Sequence, residues 1–256
     1  MQTALITGAS GGIGFELAQI FASKGVNLIL VARNKQKLNE IAANFSDKGI
    51  SVTCYAKDLS NLTNAQDIIA DLEMNNKIPD YWVNNAGFGI DAPEIEADWQ
   101  QELEMLNLNM VTLTYFTKTV AKAMVKRGSG RILNVSSIAA FQPGPYMAGY
   151  CATKSYVLSF SEAVNYELKG TGVSVSTLCP GVTDTGFHVR ANTLSSGMFT
   201  KLSHASAKDV ALYGYRLMMQ RKAVGVYGWM NKLMTFSVRF SPRSFVLWLS
   251  CALLKK

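Results

Sequence analysis

The run TALITGASGGIG, Thr3–Gly14, joins a short apolar strand to four glycines (Gly8, Gly11, Gly12, Gly14) within seven residues. A helical stretch follows, through about Lys24. Glycines at a strand-to-helix turn let the backbone come close to a pyrophosphate, and the helix N-terminus offers N–H donors to it. The spacing is T-G-x-x-x-G-x-G, an altered form of the usual G-x-G-x-x-G. A tight turn would account for one or two of these glycines. Four of them directly after a strand favour a phosphate cradle.

Outward from this unit, strand-like and helix-like segments alternate. Apolar runs at Asn27–Ala32, Ser51–Tyr55, Tyr81–Val83, Ile132–Val135, Val173–Leu178 and Ala223–Tyr227 read as further strands. Helices are expected over 35–48, 61–75, 98–126, around Tyr150–Lys154 and over 206–220, with an irregular loop at 186–205. Such alternation implies a doubly wound α/β fold, a parallel sheet of about seven strands with helices on both faces. Residues 1–227 are expected to form one Rossmann-type domain, and residues 228–256 a basic, apolar helical extension.

The chemistry is concentrated in RILNVSSIAAFQPGPYMAGYCATK, Arg131–Lys154. A strand ends at Ser136-Ser137, a Pro/Gly-rich loop follows, and a helix then carries Tyr150 and Lys154. Residues four apart share a helix face, so phenol and ammonium point into one cleft, with Ser137 at a strand's C-terminal end. A tyrosine of ordinary pKa near 10 is a poor acid–base catalyst at neutrality, and a neighbouring ammonium lowers that value. A serine hydroxyl beside them can hold a carbonyl oxygen. The three residues form a device for moving a proton to or from a carbonyl or alcohol oxygen. A single Tyr-x-x-x-Lys arises by composition alone, so the pair gains meaning only from its surroundings.

Composition narrows the alternatives. The chain has 256 residues, 48% of them hydrophobic, enough for one large domain with a sizeable core. Cys54, Cys151, Cys179 and Cys251 include no C-x-x-C pair, and His188 and His204 lie sixteen apart. No metal constellation or disulfide framework is indicated, and Cys151 reads as a packing residue. With no signal-peptide pattern at the start, a reducing, cytoplasmic setting is expected. The net charge of +7 belongs wholly to the C-terminal end. After Asp209 there are eight basic residues and no acidic one. The body offers no basic surface, so nucleic acid is not an expected partner.

Several positions point to a nucleotide. A carboxylate about 20 residues past the glycines would accept a ribose 2′-OH, whereas an arginine accommodates a 2′-phosphate. Here Arg33 ends the second strand, which favours NADP(H), although most surface arginines are simply solvated. Asp58-Leu59 follows the third strand, and Asn84-Asn85-Ala86-Gly87 the fourth, where amides bridge strand ends and a ribose or serve as turn residues. Asn107 and Asn109 interrupt the long helix, where asparagine is unfavourable, and a buried role for one of them follows.

In this order of landmarks, from Thr7-Gly8 through Asp58, Asn84–Gly87, Ser137, Tyr150-x-x-x-Lys154 and Pro180-Gly181, the chain resembles the short-chain dehydrogenase/reductase family over roughly residues 3–227. The resemblance implies a tetrad of Asn109, Ser137, Tyr150 and Lys154, with Tyr150 as proton donor and a water held by the asparagine. It implies cofactor contacts from Gly8, Ser10, Gly12, Ile13, Gly14, Arg33, Asp58 near the adenine, Leu59, Asn85, Ala86, Gly87, Tyr150, Lys154, Pro180, Gly181, the Val182 backbone and Thr185. Hydride transfer between NADP(H) and a hydrophobic carbonyl or secondary alcohol follows, in a homo-dimer or homo-tetramer. A catalytically idle NADP-binding scaffold is the alternative, and the complete tetrad argues against it. Phe88, Phe141, Pro143, Tyr146, Phe187 and Phe199 lie on loops suited to an apolar pocket mouth, or equally to capping the core; Arg190 is the one charged candidate anchor.

The extension holds Trp229, Phe236, Phe240 and Trp248 among Lys232, Arg239, Arg243, Lys255 and Lys256. Its run Phe245–Leu254 is too short to cross a bilayer, which needs about 20 residues. Two readings stand. The segment packs on the domain, as a lid or a subunit interface, or it lies in the headgroup region of a membrane.

Overall fold

The strands form where residues alternate between two buried faces. In β1 (Thr3–Thr7), Ala4 and Ile6 enter one hydrophobic cluster while Leu5 enters another; in β2 (Asn27–Ala32), Leu28 and Leu30 part from Ile29 and Val31 in the same way. A strand buried on both sides reads as a continuous apolar run, which is the mark of a parallel sheet. The computed structural model describes residues 1–45, 48–185 and 204–254.

In chain order the elements are β1, α1 (Gly12–Ser23), β2, α2 (Lys35–Ala43), β3 (Val52–Ala56), α3 (Leu62–Met74) and β4 (Tyr81–Asn84). Then come α4 (Trp99–Leu106), α5 (Leu113–Arg127), β5 (Gly130–Val135), α6 (Ala148–Glu167) and β6 (Val173–Cys179). The two-residue strands β7 (Thr183–Asp184) and β8 (Ala205–Ser206) pair with each other, and α7 (Ala207–Met219), β9 (Val224–Val226), α8 (Trp229–Ser237) and α9 (Arg243–Leu254) finish the chain. Seven strands make one parallel sheet in the order β3-β2-β1-β4-β5-β6-β9. This is a Rossmann-type doubly wound sheet whose order reverses between β1 and β4, where such folds bind ligands. Phe21 of α1, Leu38 of α2 and Leu217 of α7 cover one face. Ile68 of α3, Phe116 of α5 and Tyr150 of α6 cover the other.

Three departures from the sequence reading have local causes. Helix α2 ends at Ala43, five residues short of the expected Lys48, where Phe45 buries itself in the core and its N–H bonds the Ala42 carbonyl (3.1 Å), three residues back. The long helix is three pieces: between α4 and α5, Asn107–Thr112 winds as a π-helix. Such wide turns inside helices often mark functional sites. Of the expected loop 186–205, residues 186–203 lie outside the described residues, and Ala205 belongs to β8, where its N–H bonds the Val182 carbonyl (3.0 Å).

A chain of buried polar groups crosses the sheet beneath this surface. Trp82 Nε1 donates to Asn84 Oδ1 (2.8 Å), and Asn84 Nδ2 donates to Asn134 Oδ1 (2.8 Å) and Thr117 Oγ1 (3.1 Å). Asn134 Nδ2 donates in turn to Ser161 Oγ (2.8 Å) on α6. Buried amides are tolerated only when paired, and here the pairing ties α5 and α6 to the middle of the sheet.

Candidate active site

The glycine turn is shaped by close approach. Gly8 (φ +66°) and Gly12 (φ +53°) have left-handed backbones that favour glycine. A Cβ on Gly14 would lie 2.4 Å from the Gly8 carbonyl oxygen and 2.5 Å from Asn85 Nδ2. Gly14 is thus where α1 meets the ends of β1 and β4. Those ends are tied by Thr7, whose Oγ1 accepts from the N–H groups of Asn85 (3.0 Å) and Ala86 (2.9 Å). Asn85 Nδ2 donates back to the carbonyls of Thr7 (2.9 Å) and Gly8 (3.3 Å).

A cleft of about 400 Å³ runs along the C-terminal ends of the strands. Of the residues expected to hold a cofactor, Gly8, Ser10, Gly12, Ile13, Arg33, Asp58, Leu59, Asn85, Ala86, Gly87, Tyr150, Lys154, Pro180, Gly181 and Thr185 line it. Gly14 and Val182 do not. Gly14 sits behind the turn, and Val182 is buried, its carbonyl engaged by β8.

At the outer end of the cleft, Arg33 Nη1 lies 3.9 Å from Asp58 Oδ2, with both side chains about half exposed. So long and wet a pair contributes little stability and leaves the guanidinium available. Asn34 and Lys57 line the same end. The sequence reading passed over Lys57, although its place beside Asp58, directly after β3, was the available signal. Lys57 Nζ also bonds Asp67 Oδ2 (3.1 Å).

At the inner end, Ser137 caps the short turn Ile138–Phe141 by accepting from the Ala139 N–H (3.1 Å). Tyr150 and Lys154 project from the first turns of α6, both buried. Burial raises the Tyr150 pKa above the ordinary phenol value, and a hydrogen bond from Ser137 partly offsets the rise. Lys154, expected from the i, i+4 spacing to lower that value, is not among the influences on it; loss of solvent is the largest. The ammonium sits 5.7 Å from the Tyr150 ring centre and donates to the Val135 carbonyl (2.9 Å). Burial brings Lys154 itself down to about 8.

Asn109 stands one layer behind. It is 1% exposed and lies in the π-helix, whereas Asn107 is only half-buried. Its Nδ2 donates to the Phe88 carbonyl (2.9 Å) and Thr153 Oγ1 (3.1 Å), and its Oδ1 accepts from the Phe88 N–H (3.3 Å). A Cβ on Gly87 would meet Asn109 Oδ1 at 2.9 Å and Lys154 Nζ at 3.4 Å, so both groups converge on that glycine.

Among the described residues the loop aromatics do not gather at one mouth. Phe88 and Tyr146 pack into the α3–α6 core. Phe141 and Pro143 line a separate depression with Arg243 and Leu247 of α9. Phe187, Arg190 and Phe199 fall outside the described residues. Cys151 faces packing rather than solvent, and burial raises its thiol to about 11.

Residues 2–194 match the short chain dehydrogenase family. The chain belongs to the short-chain dehydrogenase/reductase family. Diacetyl reductase, (S)-acetoin forming, of Staphylococcus epidermidis is 31% identical over 185 residues, 72% of each chain. The probable oxidoreductase EphD of Mycobacterium tuberculosis is 31% identical over 190 residues, and this chain spans only 32% of its length. A short-chain dehydrogenase from Sphingobium yanoikuyae, solved in complex with NADPH, superposes with a TM-score of 0.84 at 28% identity, covering 94% of each chain. The Sphingobium neighbour thus holds a nicotinamide nucleotide. The glycine cradle, the start of α1 and the length of the cleft suit that group.

Proposed function

We propose that this dehydrogenase reduces the carbonyl of a hydrophobic ketone, aldehyde or acyl compound with NADPH, Asn109, Ser137, Tyr150 and Lys154 forming its catalytic tetrad. The observation that carries the reading is the meeting of Ser137, Tyr150 and Lys154 at the inner end of a cleft whose outer end holds Arg33. A nicotinamide nucleotide held along the residues of the cleft would supply the hydride. Ser137 holds the carbonyl oxygen and aligns it with the phenol. Tyr150, kept neutral by burial, donates its proton to that oxygen as negative charge develops there. Lys154 holds the end of β5 through the Val135 carbonyl and sets a positive charge beside the phenolate left after transfer. Asn109 secures the backbone of Phe88 next to the Gly87 gap.

Arg33 at the rim, with Lys57 and Asn34 near it, supports preference for a 2′-phosphate, since a guanidinium pairs with phosphate through two charge-assisted hydrogen bonds. Preference for NADPH supports reduction over oxidation as the working direction. Four cysteines without a disulfide agree with a reducing, cytoplasmic setting, and the family's habit supports a homo-dimer or homo-tetramer. The test is NADPH oxidation against a panel of ketones, aldehydes and acyl thioesters. Turnover of at least one class, abolished in Tyr150→Phe, is the expected result. NADPH binding without turnover across the whole panel would instead make the protein a nucleotide-binding scaffold.

A further inference from the structure

Helices α8 and α9 carry their apolar sides outward. From Trp229 the side chains at 229, 233 and 236 recur at four and three residues, which lines them up on one side of α8; Phe240, in the turn that follows, stands edge-on to Phe236 with ring centres 5.1 Å apart. Trp229 is 74% and Phe240 75% exposed, with Leu233 and Phe236 exposed between them. The opposite side faces the protein: Asn231 Nδ2 donates to the Tyr227 carbonyl (2.8 Å), and Thr235 is buried. In α9 the seam Val246, Ser250, Leu254 is the buried one, and Leu254 joins the core over α6. Phe245 and Trp248 stack on each other in solvent, 5.9 Å between ring centres, with Trp248 65% exposed. A surface helix ordinarily does the reverse, turning its apolar stripe to the core.

The charges around this face are of one sign. Lys232 flanks the α8 stripe, its exposed side chain reaching to 5.8 Å from the Tyr213 ring centre; Arg239 follows the helix directly, and Arg243 begins α9. No acidic residue occurs after Asp209. Pairing this face with its own copy across a two-fold axis would gather Lys232, Arg239 and Arg243 of both copies at one contact, with no carboxylate of the segment among them. An anionic lipid surface offers the opposite charge, and its headgroup layer takes Trp and Phe. Among the described residues no helix is long and apolar enough to cross a membrane, so the arrangement suits lying on a surface.

We propose that the outward face of α8 and α9 docks on an anionic lipid surface, with the Trp229–Phe240 stripe and the Phe245–Trp248 pair in the headgroup layer and Lys232, Arg239 and Arg243 against lipid phosphates. The test uses the full chain with vesicles of phosphatidylcholine alone or mixed with phosphatidylglycerol. Co-sedimentation should favour the anionic vesicles by about tenfold or more at low salt and weaken as salt screens the charges. The triple variant Lys232→Glu, Arg239→Glu, Arg243→Glu should lose that preference. The variant Trp229→Ser, Phe240→Ser, Trp248→Ser should lose vesicle binding; all six side chains are exposed, and far-UV circular dichroism checks that both variants fold. The proposal is overturned if the wild-type chain ignores anionic vesicles at low salt, or if charge reversal leaves binding unchanged. It is equally overturned if light scattering finds an oligomer that the Ser variant dissolves while vesicles are not bound, which makes the face a contact between copies. None of these readouts needs turnover, so they stand or fall apart from the reductase reading.

Discussion

Replacing Gly14 by alanine sets two physical effects against each other with opposite signs. Gly14 lies inside α1, where helix propensity alone credits Gly→Ala with about 1 kcal/mol of added stability. The packing says otherwise. The new methyl would stand 2.4 Å from a backbone oxygen, where ordinary contact begins at 3.4 Å, so α1 must back away from the β1 and β4 ends by about 1 Å. The methyl would also stand 2.5 Å from Asn85 Nδ2, and whatever part of the clash Asn85 relieves by moving strains its two hydrogen bonds to Thr7 and Gly8, each contributing about 1 kcal/mol. Overpacking adds about 1–3 kcal/mol, and the net expectation is a loss of about 2–4 kcal/mol, a large part of the 5–15 kcal/mol typical of a folded protein. Gly11→Ala is the internal control, because nothing lies within 4 Å of its added methyl and its backbone is extended (φ −178°). Urea unfolding followed by circular dichroism measures both variants, with NADPH affinity read by fluorescence. Gly14→Ala as stable as wild type or more so, with unchanged affinity, would refute the close-approach account.

The remaining expectations concern the chemistry. Tyr150→Phe removes the proton donor and keeps the ring, so steady-state reduction should fall by about 10²–10⁴-fold while NADPH still binds; turnover within a few-fold of wild type would remove the acid role. Arg33→Ala should raise the NADPH dissociation constant about tenfold or more, the scale of a hydrogen bond to a charged group, and leave that of NADH nearly unchanged; equal weakening of both would show that Arg33 does not read the phosphate. Because burial brings Lys154 down to about 8, its charge is present below that pH and lost above it. Reductive kcat/KM should therefore decline as pH rises past about 8, and a profile flat from pH 7 to about pH 9.5, short of the ordinary lysine pKa, would show that the charge is not used.

The sheet was most readable where a strand is buried on both faces and appears as an apolar run; NLILVA is the plainest, and its bounds match β2, whereas the half-exposed β3, VTCYA, was placed one residue early. Helix α2 was overrun because KQKLNEIAA continues into polar residues with no glycine or proline to announce a stop. The π-helix has no compositional signature, since its wider hydrogen-bonding ring depends on what packs around it; only the misplaced asparagines hinted at it. In the site, the order of Ser137, Tyr150 and Lys154 on a strand end and a helix was legible from spacing. Which loop aromatics turn inward was not, because side-chain direction on an irregular loop is set by tertiary packing, and Phe88 and Phe141 went to different places. The rise of the Tyr150 pKa escaped for a related reason. Spacing reveals a neighbouring charge but not how much water is removed from both groups. The aromatic and basic make-up of the tail was visible too, while the side it presents to the body was not.

The polar chain through Asn84, Thr117, Asn134 and Ser161 has a consequence for how this sequence can change over generations. Each member answers another's donor or acceptor, so one replacement strands a partner in the interior at a cost of about 1–3 kcal/mol. An apolar set of matching shape at all four positions need not be worse than the original. Between the two lies a series of intermediates that each fold less well. The four positions therefore behave as one inherited unit, and a descendant that has altered Asn134 should be found to have altered Asn84 or Ser161 as well.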